Sequence, residues 1–173
     1  MSLTSTGLVL NIKDNFLSEE DHHKLLRIFH DDIEWRYNKN VVYDGEDSPE
    51  EYALVTSIYS QGWVMQREVF DILKKYVNAD SWIRIKANFG PKRTKVMENA
   101  LHVDYKDTFT NQWTAVYYLT TNNGYTYFED GQRVDSVANR LVVFPVDTMH
   151  SGTTSTDNNR IVINLNWIGS VVE

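Results

Sequence analysis

The second half of the chain constrains the fold most strongly, because it alternates short strand-like segments with turn signals. From Ser81 onward, five segments are rich in β-branched and aromatic residues: 82–89, 113–120, 125–129, 140–144 and 160–167. Turn sequences separate them, among them Asn-Asn-Gly at 122–124 and Ser-Gly at 151–152. Strands of this length, separated in this way, predict an antiparallel sandwich or barrel.

The first half carries helix signals. Ser18 precedes three acidic residues, which predicts an N-cap followed by a helix with an acidic first turn. Apolar residues at helical spacing between Met65 and Tyr76 predict a second, amphipathic helix. Strand composition predicts short strands at 8–12, 41–43 and 53–59, although a helix-start signal at 48–51 precedes the last of these. We therefore predict an α+β, mainly β fold in which N-terminal helices pack on one sheet.

The composition limits the class of protein. A chain of 173 residues with 42% apolar and 13% aromatic residues fits a single domain, 1–173, with its own core. The formal charge of −7 disfavours binding to nucleic acid or to anionic membranes. The absence of cysteine excludes disulfides, a thiol nucleophile and cysteine-ligated metals, and it agrees with a cytoplasmic location. We expect neither a signal peptide nor a membrane span, since no apolar run approaches about 18 residues.

A His-x-Asp sequence carries the clearest chemistry. His102 and Asp104 lie two residues apart, so on an extended strand both side chains project to one face. His150 follows 48 residues later and would complete a set of two imidazoles and one carboxylate. This is the facial arrangement of non-haem Fe(II) oxygenases, which leaves metal positions open for a cosubstrate and O₂.

The motif is weak by itself, and the chain contains a control for it. His30 and Asp32 repeat the spacing at the end of a predicted helix, where two such side chains point about 200° apart and cannot share a metal. We interpret His30 as a surface residue at the helix C-terminus. We place His22 and His23 on the polar side of the same helix.

Arg160 opens the last predicted strand, ten residues after His150. A lone arginine is usually an exposed ion-pair partner. Near a metal, its guanidinium can instead hold the distal carboxylate of a dicarboxylic acid through two charge-assisted hydrogen bonds. Further polar residues share its strand face, which suits a polar barrel interior: Asn164 and Asn166.

The order and spacing of these residues resemble the catalytic core of the 2-oxoglutarate/Fe(II)-dependent dioxygenases, in their prolyl-hydroxylase-like branch. The resemblance covers about 82–168, half of the chain. Its motifs are His-Val-Asp at 102–104, Thr-Ala-Val-Tyr-Tyr-Leu at 114–119, Asn-Gly-Tyr-Thr-Tyr-Phe at 123–128, Asn-Arg-Leu-Val-Val-Phe-Pro at 139–145, His-Ser-Gly at 150–152, and Arg160. Two positions depart from the family pattern: Thr120 replaces a common Asn, and Asn-Gly-Tyr at 123–125 replaces a Gly-Gly pair.

The resemblance implies a double-stranded β-helix, that is, a jelly roll or cupin-like barrel. It implies His102, Asp104 and His150 as catalytic Fe(II) ligands, Arg160 as the anchor of the 2-oxoglutarate C5 carboxylate, and Tyr118 as a second cosubstrate-binding residue that helps to hold that carboxylate. It also implies O₂ as a reactant, ascorbate as a stimulatory reductant, and succinate and CO₂ as products. Hydroxylation is favoured, because halogenating relatives lack the carboxylate ligand. The oxidised substrate stays open between a protein side chain and a small molecule.

Two other functions fit a similar barrel. One is a cupin-like metal protein that uses Zn²⁺ or Mn²⁺ without oxygenase chemistry, and the other is a jelly-roll binding module with an inactive site. Asn88 and Asn164 fit either polar filler or active-site contacts. The basic residues at 92–95 are interpreted as a solvated loop, with a cavity lip that attracts an anionic substrate as the alternative. Loops at 36–51 and 106–111 are expected to select the substrate.

Overall fold

The computed structural model describes residues 8–38, 52–105 and 111–172. This part of the chain contains helices α1 (Glu19–Arg27) and α2 (Arg67–Leu73), and α1 continues into a π-helical turn, Ile28–Asp32. The strands, in chain order, are β1 (Asn11–Lys13), β2 (Arg36–Asn38), β3 (Ala53–Ser60), β4 (Trp63–Val64), β5 (Ala79–Gly90), β6 (Gln112–Tyr118), β7 (Tyr125–Phe128), β8 (Arg133–Asp135), β9 (Arg140–Pro145), β10 (His150–Gly152) and β11 (Arg160–Gly169). Neither of the two helices is long and apolar enough to cross a membrane.

The strands form two antiparallel sheets. The large sheet has the order β1-β9-β6-β11-β5-β3-β2, with β4 paired to β3, and the small sheet has the order β10-β7-β8. Strand β11 lies in the middle of the large sheet, between β5 and β6. Since side chains alternate along a strand, the register of β11 against β5 places four facing pairs on one side of the sheet. These pairs are Arg160 with Gly90, Val162 with Asn88, Asn164 with Lys86, and Asn166 with Arg84.

Each face of the large sheet carries its own hydrophobic core. Tyr117 and Tyr118 are consecutive and fully buried, yet they belong to different clusters because they project to opposite faces of β6. The Tyr117 cluster contains Leu25 of α1 and Leu73 of α2. The Tyr118 cluster contains residues of the small sheet, such as Phe128. The large sheet therefore has the helices on one face and the small sheet on the other.

The predicted mainly β, antiparallel architecture is confirmed. All five strands predicted in the second half form within three residues of the predicted bounds, and the segment 53–59 is strand β3. Strand β1 begins only at Asn11, where pairing with β9 starts. Helix α2 starts later than predicted, because the Met65 N–H bonds to the Ile58 carbonyl of β3. The strand predicted at 41–43 and the helix start at 48–51 lie outside the described residues.

Helix α1 begins as predicted, but its buried face corrects one interpretation. Ser18 Oγ accepts a hydrogen bond from the Asp21 N–H at 3.1 Å. The placement of His22 on the polar side of the helix is wrong: His22 is buried, and its Nδ1 lies 2.6 Å from the Tyr117 hydroxyl. The reason is helical spacing, since His22 precedes Leu25 by three residues and shares its inward face. His23 and His30 are exposed, as predicted.

Candidate active site

The three residues of the predicted metal site converge between the sheets. His102, Asp104 and His150 each offer a ligand atom, and these atoms lie within 4.8 Å of one another. The two histidines are joined through their backbones, because the His102 N–H bonds to the His150 carbonyl and the reverse bond also forms, both at 3.0 Å. One pair of backbone hydrogen bonds thus aligns two imidazoles that are 48 residues apart in sequence.

The local backbone at His102 differs from the predicted strand. His102 forms an isolated bridge with His150, and Asp104 lies at a bend. The stretch after Pro91 contains few β-branched residues and pairs with another segment only at single positions, so no regular strand develops there. The two side chains still reach one site, because the bridge at His102 holds the segment against β10.

Hydrogen bonds orient both imidazoles for metal binding. His150 Nδ1 lies 2.9 Å from the Thr148 carbonyl, and His102 Nδ1 lies 3.3 Å from the Ala100 carbonyl. A carbonyl only accepts, so each Nδ1 carries the proton and each Nε2 keeps its lone pair for a metal. Burial lowers the pKa of His150, which favours the neutral form that a metal requires. His102 is exposed whereas His150 is buried, so the site opens to solvent on the His102 side.

Asp104 is held as a carboxylate by three neighbours. Arg84 Nη2 lies 3.1 Å from Oδ1, Asn166 Nδ2 donates to Oδ2 at 2.8 Å, and the Thr114 hydroxyl lies 3.5 Å from Oδ2. Burial alone would raise the pKa of Asp104, but the Arg84 charge and the Asn166 hydrogen bond bring it below its usual value. Sequence reasoning missed Arg84. The sequence did contain a signal for it, because the polar residues Arg84, Lys86 and Asn88 occupy every second position and therefore share one face of the predicted strand.

Arg160 lines the same cavity as the metal triad of His102, Asp104 and His150, and its surroundings are neutral. Its side chain is 9% exposed, and it donates from Nε to Ser136 Oγ and from Nη2 to Thr126 Oγ1, both at 3.2 Å. Within the described part of the chain, no carboxylate lies within ion-pair distance of its guanidinium. A buried charge without a counter-charge is costly, so this group is suited to bind an anion. The cavity has a volume of about 320 Å³.

Tyr118 lies beneath the cavity. Its side chain is fully buried, its hydroxyl donates to Thr126 Oγ1 at 2.7 Å, and its ring centroid is 5.8 Å from the Arg160 guanidinium carbon. Burial raises the pKa of Tyr118 to about 12, so the hydroxyl stays protonated and able to donate. Thr126, which lines the cavity, therefore connects Tyr118 with Arg160. Thr126 was not singled out from the sequence, although it lies inside the motif at 123–128.

Several other predicted positions also line the cavity. Asn88 and Asn164 line the cavity wall, so neither of them belongs to an apolar core. Arg93 also lines the cavity: its Nη2 donates to the Tyr52 carbonyl at 2.9 Å, and its guanidinium lies 4.3 Å from the centre of the Tyr52 ring. For Arg93 the alternative interpretation, a cavity lip, therefore fits better than a solvated loop.

Solved structures share this fold. A prolyl hydroxylase from Trichoplax adhaerens, in complex with a hypoxia inducible factor peptide fragment, has a TM-score of 0.61 at 14% identity, over 92% of this chain and 83% of its own. The viral collagen prolyl hydroxylase of Paramecium Bursaria Chlorella virus-1, in its 2OG complex, has a TM-score of 0.57 at 16% identity, over 98% and 99%. The epimerase SnoN of nogalamycin biosynthesis, in complex with Fe³⁺ and alpha ketoglutarate, has a TM-score of 0.65 at 12% identity, over 93% and 79%.

These comparisons identify the fold class. No family model matches the sequence, and the search of curated proteins finds no match either. The chain has the fold of the 2-oxoglutarate/Fe(II) oxygenases, shared with prolyl hydroxylases and with a 2-oxoglutarate-dependent epimerase. The resemblance drawn from the sequence motifs is thereby confirmed at the level of the fold.

Proposed function

We propose that this protein is an Fe(II)- and 2-oxoglutarate-dependent dioxygenase that hydroxylates its substrate. One observation carries the proposal: an open set of two imidazoles and a carboxylate shares a cavity with a buried arginine that has no carboxylate partner in the described residues. The donor set fits ferrous iron and leaves positions free for a cosubstrate. The arginine fits the far carboxylate of a dicarboxylic acid.

The side chains have distinct roles in this proposal. His102, Asp104 and His150 hold the metal through the two Nε2 atoms and a carboxylate oxygen. Iron and 2-oxoglutarate, when bound, supply the reaction with O₂ that yields succinate, CO₂ and a hydroxylated substrate. Arg160 binds the C5 carboxylate of 2-oxoglutarate, and Thr126 and Ser136 orient its guanidinium.

Four further points complete the proposal. Tyr118 acts through Thr126: its hydroxyl donates a hydrogen bond to Thr126 Oγ1, so that the Thr126 side chain keeps one orientation toward Arg160. Val116 and Val162 form an apolar part of the cavity wall. The chain acts as one domain, 1–173, with a protein side chain or a small molecule as substrate. The lack of cysteine supports a cytoplasmic location.

Anaerobic titration tests this function. Fe(II) and 2-oxoglutarate together are expected to give the purified protein a weak visible charge-transfer band, and admission of O₂ is expected to produce succinate. His150→Ala removes a ligand and should abolish both signals. His30→Ala is the matched control, because it removes an exposed histidine of the second His-x-Asp sequence.

The same titration separates the alternatives. Binding of Zn²⁺ or Mn²⁺ without any affinity for 2-oxoglutarate would contradict the dioxygenase and favour a cupin-like metal protein. A folded protein that binds neither metal nor 2-oxoglutarate would favour a binding module with an inactive site.

A further inference from the structure

Lys86 is a half-buried cation on the cavity wall that the proposed reaction does not use. It lies on β5, on the same face as Arg84 and Asn88, and it lines the cavity together with the metal triad. Within the described ranges, the Lys86 ammonium has neither a hydrogen bond nor an acidic group within 4.0 Å. Asp104, the carboxylate of the cavity wall, is already engaged by Arg84 and Asn166. Among the described residues, the Lys86 charge therefore has no partner.

The charges of the described cavity wall are unbalanced. Its cations are Arg84, Lys86, Arg93 and Arg160, against one carboxylate, Asp104. This excess of positive charge contrasts with the chain as a whole, whose formal charge is −7. A ferrous ion and the 2-oxoglutarate dianion would neutralise each other and leave the imbalance unchanged. In terms of direct contacts, Arg84 pairs with Asp104 and Arg160 would contact the C5 carboxylate, so Lys86 and Arg93 have no acidic contact among the described residues.

The strand register separates Lys86 from the Arg160 end of the cavity. Lys86 faces Asn164 on β11 and Ser57 on β3, whereas Arg160 faces Gly90. Lys86 and Gly90 are four positions apart on β5, which corresponds to roughly 13 Å along a strand. Lys86 is only two positions from Arg84, which contacts Asp104. Lys86 therefore lies at the metal end of the cavity, on the side toward the exposed β3 residue Ser57.

Resting on the proposed function, we propose that Lys86 binds an anionic group of the substrate that is oxidised, so that this substrate carries a carboxylate or a phosphate near the reacting carbon. Asn88 and Asn164 flank Lys86 on the wall and can donate further hydrogen bonds to such a group. Burial lowers the pKa of Lys86, and a bound anion would restore the favourable surroundings of the ammonium. The cavity volume of about 320 Å³ suits a small molecule or a single side chain beside the cosubstrate.

Matched pairs of acidic and neutral compounds test this inference. Calorimetric titrations of the anaerobic protein, saturated with Fe(II) and 2-oxoglutarate, would use L-glutamate against L-glutamine, L-aspartate against L-asparagine, and O-phospho-L-serine against L-serine. At least one acidic member is expected to bind about tenfold more tightly than its neutral partner, the range of a charge-assisted hydrogen bond. The pair that shows the preference distinguishes a carboxylate from a phosphate.

Variants assign the preference to Lys86. Lys86→Gln is expected to reduce the acidic-over-neutral ratio to near one, and Lys86→Arg to keep most of it. Lys95→Gln is the matched control, because it removes the same charge from an exposed position outside the cavity wall. The ratio should stay at the wild-type value in that variant.

Three results would overturn the inference while leaving the dioxygenase intact: no acidic compound preferred by the wild-type protein, a preference that Lys86→Gln retains, or a Lys86→Gln protein that loses affinity for 2-oxoglutarate instead. If the wild-type protein gave neither the charge-transfer band nor succinate, that result would contradict the proposed function itself.

Discussion

The charged residues of the cavity differ in whether the protein supplies their partner. Arg84 and Asp104 neutralise each other, and Asn166 completes the hydrogen bonds of the carboxylate. Within the described residues, the hydrogen bonds of the Arg160 guanidinium go to the hydroxyl oxygens of Ser136 and Thr126. The cost of leaving a buried charge unpaired is several kcal/mol, and a bound carboxylate offsets it. Arg84 is therefore suited to hold Asp104, whereas Arg160 is suited to bind the carboxylate of a ligand.

Replacement of Arg160 tests its role as an anchor. Arg160→Ala removes two charge-assisted hydrogen bonds and should weaken 2-oxoglutarate binding by roughly 1.5–3 kcal/mol, about 10- to 150-fold. Arg160→Lys should retain only part of the 2-oxoglutarate affinity, because an ammonium lacks the planar fork of a guanidinium. Anaerobic titration of 2-oxoglutarate into the Fe(II) protein measures both effects, and Fe(II) affinity should hardly change. An unchanged dissociation constant in a folded Arg160→Ala protein would remove Arg160 from the site.

Arg84 is expected to act as a positioning residue for Asp104. Arg84→Gln removes the ion pair that orients the carboxylate and keeps it ionised, so affinity for the metal should fall about 10- to 100-fold. Competition with a chromophoric chelator measures this change. Arg67→Gln, at an exposed arginine of α2, is the control for loss of one positive charge. A metal affinity equal to that of the wild type would show that Asn166 and Thr114 hold Asp104 without Arg84.

At the scale of elements, Arg160 fits between strands and turns because two neighbouring residues lack side chains. A Cβ at Gly152 of β10 would lie 3.1 Å from Arg160 Nη1, and one at Gly124 would lie 3.0 Å from Arg160 Cδ and 2.9 Å from the Thr154 carbonyl. Gly124 belongs to the segment that departs from the Gly-Gly pair of the family pattern. The departure keeps the glycine that Arg160 requires.

Gly152→Ala should displace the Arg160 guanidinium by a few tenths of an ångström without unfolding the protein. The three atoms nearest to the added methyl group all belong to the Arg160 guanidinium, and none of them is a backbone atom. We expect weaker binding of 2-oxoglutarate with unchanged affinity for Fe(II). Calorimetric titration of both ligands checks this expectation. Equal weakening of both would indicate that β10, which carries His150, had itself moved.

At the scale of the whole molecule, the large sheet joins two cores through adjacent residues. Tyr117 faces the helices and bonds to His22, whereas Tyr118 faces the small sheet and bonds to Thr126. The helices are thereby connected to the strand that borders the site, but through the opposite face of the sheet. The buried His22 makes the stability of this arrangement sensitive to pH.

Acid should destabilise the metal-free protein through His22. Burial lowers the pKa of His22 in the folded state, so below the usual histidine value of about 6.5 the unfolded chain binds a proton that the folded chain excludes. This contribution is fully present above that value and decreases as the pH falls through it. His22→Asn, which keeps a polar atom near the Tyr117 hydroxyl, should flatten the decline of the melting temperature between about pH 7.5 and 5.

His30→Asn serves as the comparison for the pH experiment, since it removes a histidine that is exposed on the same helical segment. Its melting temperatures should follow the wild-type dependence on pH. A wild-type slope in the His22→Asn protein would assign the acid sensitivity to other groups.

The sequence by itself was enough to predict five of the seven strands from β5 onward, the Ser18 cap and four side chains of the candidate site, but neither Arg84 nor Thr126. Strand alternation and helix capping are local patterns, so they can be read from neighbouring residues. The set of His102, Asp104, His150 and Arg160 was recognisable because several motifs occurred together in one order. The role predicted for Tyr118 stays a prediction, since its hydroxyl reaches Arg160 through Thr126.

Only the tertiary structure decided which partners these residues have. The register of β5 against β11 places Arg84 beside Asn166 and Lys86 beside Asn164, and a shift of β5 by one residue would turn Arg84 and Lys86 to the other face of the sheet. The short strand β10 forms where a partner strand is available, which no three-residue pattern can reveal. His22 is buried because the sheet covers its face of α1. Local sequence determines which side chains share a face of a strand, and the packing of strands that are distant in sequence determines which residues those side chains contact.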